Sequence, residues 1–126
     1  MLVVNETEAR HLGRMDEAIA AGKTLHDRHG IGTVIVTLGA RGAVAFCDGA
    51  PIEVPAPAIK AIDSVGAGDV FCGALTTSLA RGAGLDQAMQ VAVAAASLAV
   101  TRRGTQSAFP THDEANDLII RHGVPL

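Results

Sequence analysis

The chain has 126 residues, 48% hydrophobic and 18% charged, with a formal net charge of −3. That is a globular composition, and one domain is the expectation at this length. Only three aromatic residues occur, all Phe, and no Lys/Arg cluster stands out. Aromatic stacking platforms for sugars or single strands and a nucleic-acid footprint are therefore excluded. The longest charge-free apolar stretch, Gln87 to Thr101, is 15 residues, too short to span a bilayer. No basic segment precedes an apolar one at the N-terminus. Cys47 and Cys72 have no CxxC spacing and read as two reduced thiols in a cytoplasmic protein, with one disulfide between them as the second reading.

Met1-Leu2-Val3-Val4 reads as a buried strand that starts with no lead-in. Asn5 followed three residues later by Glu8 is a capping-box helix start. Helical segments fill Glu6 to His29, with a break at Gly13 and a stop at Gly30; Ile19, Gly22, Leu25 (or His26) and His29 form the apolar stripe. Thr33 to Leu38 is β-branched and uncharged, a strand buried on both faces as in a parallel sheet. Gly39-Ala40-Arg41-Gly42 turns the chain, and Ala43 to Cys47 and Ile52 to Val54 are short strands joined through Asp48-Gly49. Pro51, Pro55 and Pro57 keep that region at a sheet edge.

Asp63-Ser64-Val65-Gly66-Ala67-Gly68-Asp69 is a glycine-rich loop running into a helix that carries Phe71, Ala74, Leu75 and Leu79 and stops at Gly82. Asp86 caps a second helix, apolar nearly all round and hence buried, through about Val100. After a loop from Arg102 to Pro110, Thr111-x-x-Glu114 opens a last helix ended by Gly123 and Pro125. Strand and helix alternate around an antiparallel insert, so the fold class is layered α/β with ligand sites at loops between strand ends and helix starts.

Gly66-Ala67-Gly68-Asp69 is the strongest site candidate. Glycines before a helix let several N–H groups converge on one anion, and the helix dipole adds positive potential there. Asp69 in the first turn suits a base that takes a proton from a substrate hydroxyl, but also a simple first-turn acid. Thr37 through Gly42 could approach a nucleotide or be an ordinary turn. Asn5 and Glu8 could hold a hydrated Mg²⁺ or only cap a helix. Gly22-Lys23-Thr24 mimics the end of a Walker A loop, yet Glu17 stands where its first glycine belongs. Gly66-x-Gly68 is no dinucleotide fingerprint, because Phe71 takes the third glycine position. His26 and His29 are spaced for a metal but have no third ligand.

Taken in order, Asn5-x-x-Glu8, Thr37-Leu38-Gly39-x-x-Gly42, Asp63-x-x-Gly66-Ala67-Gly68-Asp69-x-Phe71-x-Gly73-Ala74-Leu75 and Val100-Thr101-Arg102-Arg103-Gly104 resemble the C-terminal half of a ribokinase-like (PfkB-family) carbohydrate kinase. The resemblance implies a three-layer α/β/α fold, here only its C-terminal part. Residues 1–126 would form a single partial domain lacking the N-terminal sugar-binding and lid half, which a missing-half partner or a homo-oligomer would supply. It implies phosphoryl transfer from ATP to a sugar hydroxyl, D-ribose to ribose 5-phosphate first, with fructose, a nucleoside or a related alcohol as other acceptors. A non-catalytic nucleotide-binding module is the reading from a different class.

By the same resemblance Asp69 is the catalytic base, and Gly66, Ala67 and Gly68 form the anion hole. Asn5, Thr37, Leu38, Gly39, Ala40, Arg41 and Gly42, with Gly68 and Asp69, line the ATP site. Glu8 organises Mg²⁺ through water. A monovalent cation, K⁺, takes the Asp63 side chain and the carbonyls of Val65, Ala99, Arg102 and Gly104. Three positions depart from the family pattern: Val93 where a polar residue often stands beside adenine, Arg103 where Lys is common, and Ala108 where Ser is usual, with Ser107 one residue early.

Overall fold

Residues 1–102 and 110–124 are described by the structure, a computed structural model. The residues fall into two compact units, Met1–Pro55 and Ala56–Leu126.

The first unit contains β1 (Leu2–Asn5), α1 (Glu6–Gly13), α2 (Ala18–His29), β2 (Val34–Thr37), a 3₁₀ turn (Gly39–Arg41), β3 (Ala43–Phe46) and β4 (Ile52–Val54). Their order in the sheet is β1-β2-β3-β4. β1 runs parallel to β2, while β2–β3 and β3–β4 are antiparallel. The parallel environment expected around β2 therefore exists on one side only. The α1–α2 crossover permits a parallel return, whereas the short turn after Thr37 can only reverse the chain. β2 is buried on both faces, as its sequence requires: Val34, Ile35 and Val36 have no exposed surface. β1 departs from expectation, since only Val4 is buried and Asn5 belongs to the strand. An edge strand has a neighbour on one side alone.

Val4, Ala9, Ala21, Leu25, Val34, Val36, Val44 and Phe46 form the core of this unit. The buried face of α2 is Ala18, Ala21, Gly22 and Leu25, rotated from the expected stripe. Ile19 packs at the margin of the core, His29 is exposed, and His26 Nδ1 lies 2.7 Å from the Ile31 carbonyl, tying the helix to the chain that follows it. Glycine is required at position 22: a Cβ there would sit 2.5 Å from Val36 Cγ2 and 3.1 Å from Phe46 Cε2. The Walker-like Gly22-Lys23-Thr24 is thus a helix interior packed on a sheet. α2 is capped by Glu17, whose carboxylate accepts the Ile19 and Ala20 N–H groups. The Ala20 bond first, then the Ile19 bond, holds that carboxyl below its usual range.

The predicted helix stop and hairpin turn are met: Gly30 closes α2 at φ 66° and Gly49 turns the β3–β4 hairpin at φ 96°. After Gly13 the left-handed position is taken by Arg14, at φ 52°.

The second unit contains α3 (Ala67–Ala80), α4 (Leu85–Ala99) and α5 (His112–Arg121). α3 packs on α4 and α4 on α5. Small side chains make this close: Val70, Ala95 and Ala99 form a shared core against Ala74 and Leu118. α3 begins earlier than the glycine-rich stretch suggests, so Ala67, Gly68 and Asp69 already belong to its first turn. α4 is capped by Gly84 without a side-chain bond, and Asp86 lies inside its first turn, not at the cap. α5 opens with the expected capping box of Thr111 and Glu114. No helix among the described residues is long and apolar enough to cross a membrane, and both cysteines are free.

Candidate active site

In the first unit, β1 and β2 end together. Asn5 is the register partner of Thr37, so the Asn5–Glu8 segment and the Thr37–Gly42 segment leave the carboxyl ends of two parallel strands side by side. That end of an open α/β sheet is where ligands bind. Asn5 Oδ1 accepts the Glu8 N–H at 2.9 Å and Glu8 Oε2 accepts the Asn5 N–H at 2.8 Å, so the expected capping box fixes both side chains. Thr37 Oγ1 donates to the Val4 carbonyl at 3.4 Å.

Leu38 is buried and its N–H donates to the Gly42 carbonyl at 2.8 Å, closing the turn. Gly39 at φ 58° and Gly42 at φ 96°, ψ −132° hold backbone shapes that a side chain would strain. Ala40 and Arg41 are exposed between them. Arg41 also donates to Glu6 Oε2 at 3.0 Å, an oxygen it shares with Arg10. That bridge lashes the turn to α1. It joins residues 35 apart, and no local pattern signals it.

In the second unit, Gly66 caps α3 in the left-handed region at φ 82°. Ala67 N–H folds back to the Ser64 carbonyl at 3.3 Å. The Gly68 and Asp69 N–H groups lie in the first turn, where helix geometry supplies no acceptor. A Cβ on Gly68 would meet nothing within 4 Å, so the approach is open. Asp69 is exposed on the same turn, and it is among the residues lining a cleft of about 280 Å³ bordered also by Gly73, Thr77, Ala95 and Leu118.

The loop before α3 is clamped to the end of α4. Ile62 and Asp63 N–H groups both donate to the Val100 carbonyl, at 2.7 and 3.1 Å, and Asp63 Oδ1 accepts the Val65 N–H at 2.9 Å. Ile62 and Asp63 are thereby tied to Val100, the residue that follows Ala99 at the end of α4. The Ala99 carbonyl already accepts the Arg102 N–H at 3.1 Å, which leaves one of its lone pairs for a cation. Gly104, Arg103, Ser107 and Ala108 lie outside the described residues. Val93 is 5% exposed, so its side chain belongs to the helix core and offers little wall to a ligand. Among the described residues no group of three or more His, Cys, Asp or Glu side chains could hold a metal ion. A cation here depends on carbonyls and water as well as carboxylates. The Val100 clamp was invisible in the sequence, because any residue supplies a carbonyl.

The glycine-opened helix start of the second unit and the glycine turn beyond the parallel strand ends of the first are each backbone shapes that suit a bound phosphate. The model of the pfkB family of carbohydrate kinases matches residues 1–112, and the chain belongs to that family. A ribokinase of Haemophilus influenzae is 35% identical over 94% of this chain and 40% of its own length. The structure of aminoimidazole riboside kinase from Salmonella enterica, complexed with aminoimidazole riboside and an ATP analog, superposes with a TM-score of 0.83, at 31% identity over 94% of this chain and 41% of that one. Phosphofructokinase-2 from Escherichia coli, solved in complex with potassium, gives 0.81 at 29% identity, over 97% and 41%. The chain thus spans about 40% of the length of the relatives it matches.

Proposed function

We propose that these 126 residues act as the ATP-binding and catalytic-base part of one sugar-kinase domain, transferring the γ-phosphoryl group of ATP to a sugar hydroxyl, D-ribose first. The observation that carries this reading is the start of α3: two first-turn N–H groups without intrahelical acceptors, an open Gly68 and an exposed Asp69 on the same turn. Donors fixed before the reaction stabilise charge as it develops on the transferring group. Asp69 takes the proton of the attacking hydroxyl as the O–P bond forms and ADP leaves. Gly66, Ala67 and Gly68 form the anion hole. Asn5 and the Thr37, Leu38, Gly39, Ala40, Arg41 and Gly42 segment bind the nucleotide.

The residues suit the two implied cations. Glu8 is held by Asn5, with carboxylate lone pairs left for the water shell that Mg²⁺ usually keeps. The Asp63 side chain and the Val65, Ala99 and Arg102 carbonyls would hold K⁺, as oxygen donors suited to a hard cation. Both ions supply positive charge that offsets phosphate charge. Support for K⁺ comes from the potassium complex of the E. coli phosphofructokinase-2, and for ribose from the H. influenzae ribokinase.

Calorimetric titration of the chain with ATP, with and without Mg²⁺ and K⁺, tests the nucleotide role: saturable heat is expected, and none at millimolar ATP refutes it. In the assembled kinase, Asp69→Asn should lower kcat by about 10²–10⁴ with little change in ATP affinity. Near-normal turnover in that variant sinks the base assignment. Competition among ribose, deoxyribose, aminoimidazole riboside and fructose 6-phosphate ranks the acceptors, and a higher kcat/KM for any but ribose overturns that choice.

A further inference from the structure

Glu6 is the first residue of α1 and lies between Asn5 and Glu8, whose side chains are closed on each other's N–H groups in the capping box. Its own carboxylate takes no part in that box. Glu6 Oε2 accepts Arg10 Nη2 at 3.3 Å along α1 and Arg41 Nη2 at 3.0 Å from the turn after β2. The helix dipole accounts for an acid at this position. It does not account for a second guanidinium drawn from 35 residues away.

The turn that supplies Arg41 needs holding. Gly39 at φ 58° and Gly42 at φ 96° bracket Ala40 and Arg41, and glycine gives the backbone its widest freedom. Three backbone bonds shape the turn: Leu38 N–H to the Gly42 carbonyl at 2.8 Å, Arg41 N–H to the Leu38 carbonyl at 3.2 Å, and Gly42 N–H to the Gly39 carbonyl at 3.1 Å. All three stay within residues 38–42, so they fix its shape and not the place of its tip. The β1–β2 ladder places its start at Thr37, and the bridge to Glu6 places its tip. The Glu6 side chain is less exposed than either guanidinium it meets, so it is the anchored partner. Glu17, the cap of α2, shares the same field: after the Ala20 and Ile19 N–H groups, the Arg10 and Arg41 charges also lower its carboxyl. Two guanidinia are thus balanced by two carboxylates around the turn.

We propose that Glu6 is a positioning residue of the nucleotide site: through Arg41 it sets the Thr37–Gly42 turn against the Asn5–Glu8 segment, and it does not touch the nucleotide itself. That role rests on the nucleotide binding proposed above and extends it to a residue that stands at an unspecified position of the Asn5-x-x-Glu8 motif. A guanidinium presents its donors in a fixed planar fork, so a carboxylate that holds it also orients the backbone carrying it. The opposite arrangement, with Glu6 parking Arg41 until phosphate takes it, would make Glu6 a competitor of the ligand. The two differ in sign when the Glu6 charge is removed.

The test combines calorimetric titration of the full chain with ATP and hydrogen exchange of the ligand-free chain. Glu6→Gln keeps the shape and removes the charge. The ATP Kd is expected to rise about two- to fivefold, the range an exposed ion pair supplies, and the Leu38 N–H should exchange faster by a similar factor. Arg10→Gln cuts the bond within α1 and spares the link to the turn, so ATP affinity and Leu38 exchange should match the parent. A general loss of α1 would move both variants alike. In an Arg41→Gln background, Glu6→Gln should change neither reading further. Unchanged or tighter ATP binding in Glu6→Gln overturns the proposal. So does a loss that persists in the Arg41→Gln background, which would put Glu6 on the ligand. If Arg41→Gln abolishes binding, Leu38 exchange in the two backgrounds decides. A parent chain that binds no ATP refutes the nucleotide reading, and Leu38 exchange unaltered by Glu6→Gln then refutes the positioning as well. ATP binding by the parent with no effect of Glu6→Gln refutes the positioning alone.

Discussion

Two mid-helix glycines should respond to the same substitution with opposite signs. Gly22 of α2 and Gly73 of α3 each gain about 0.5–1 kcal/mol of helix propensity on replacement by Ala. At Gly73 the new methyl meets nothing within 4 Å, so the gain is realised. At Gly22 it lies 2.5 Å from Val36 Cγ2, well inside the roughly 3.5–4.0 Å of a good carbon contact. Val36 has no exposed surface and Phe46 only 5%, so neither can swing into solvent. α2 must lift off the sheet instead, an overpacking cost of about 1–3 kcal/mol. Because the clash meets a locked β-branched side chain, the upper half of that range applies, and the net loss is about 1–2.5 kcal/mol. Urea unfolding gives the stability change as a shifted midpoint at constant slope. Native-state hydrogen exchange assigns it to α2 or α3. Val36→Ala removes the clashing methyl, so Gly22→Ala should cost less in that background, with a coupling of about 1 kcal/mol. A Gly22→Ala protein as stable as the parent, or strict additivity with Val36→Ala, refutes the account of the α2–sheet contact.

Glu114 predicts an acid limb. The Arg102 guanidinium first, then the Thr111 N–H, brings its carboxyl from the ordinary 4.5 down to about 2. The folded value lies below the unfolded one, so the stabilisation is full above pH 4.5 and is lost as pH falls toward 2. Glu114→Gln should flatten the acid limb of α5 exchange, and an unchanged limb refutes the pairing. Thr111→Ala deletes the other half of the capping box and should cost about 1 kcal/mol, speeding exchange in α5 about fivefold; unchanged exchange would show the cap to be idle. Gly66→Ala forces a side chain into φ 82°, a strain of about 1–2 kcal/mol, and should weaken ATP binding in the calorimeter. Parent-like stability and affinity together would refute the role given to that left-handed cap.

Most of what was legible in the sequence was local. Asn5-x-x-Glu8 and Thr111-x-x-Glu114 form their capping boxes because side chain and amide lie three residues apart whatever the rest of the chain does. Gly30, Gly49 and Gly66 sit at positive φ because only glycine enters that region freely. The ordered sequence motifs from Asn5 to Gly104 likewise identified the family that the match over residues 1–112 shows. Tertiary structure decided what depends on partners far along the chain. The stripe expected on α2 kept Gly22 and Leu25 but lost Ile19 and His29 to Ala18 and Ala21, because the face that meets the sheet is centred where Val36 and Phe46 lie beneath Gly22. β2 became both parallel and antiparallel through what β1 and β3 offered. Arg41 found Glu6, and the loop before α3 found the Val100 carbonyl. Such contacts form where folding brings distant backbone and charge together, and no residue type marks them in advance.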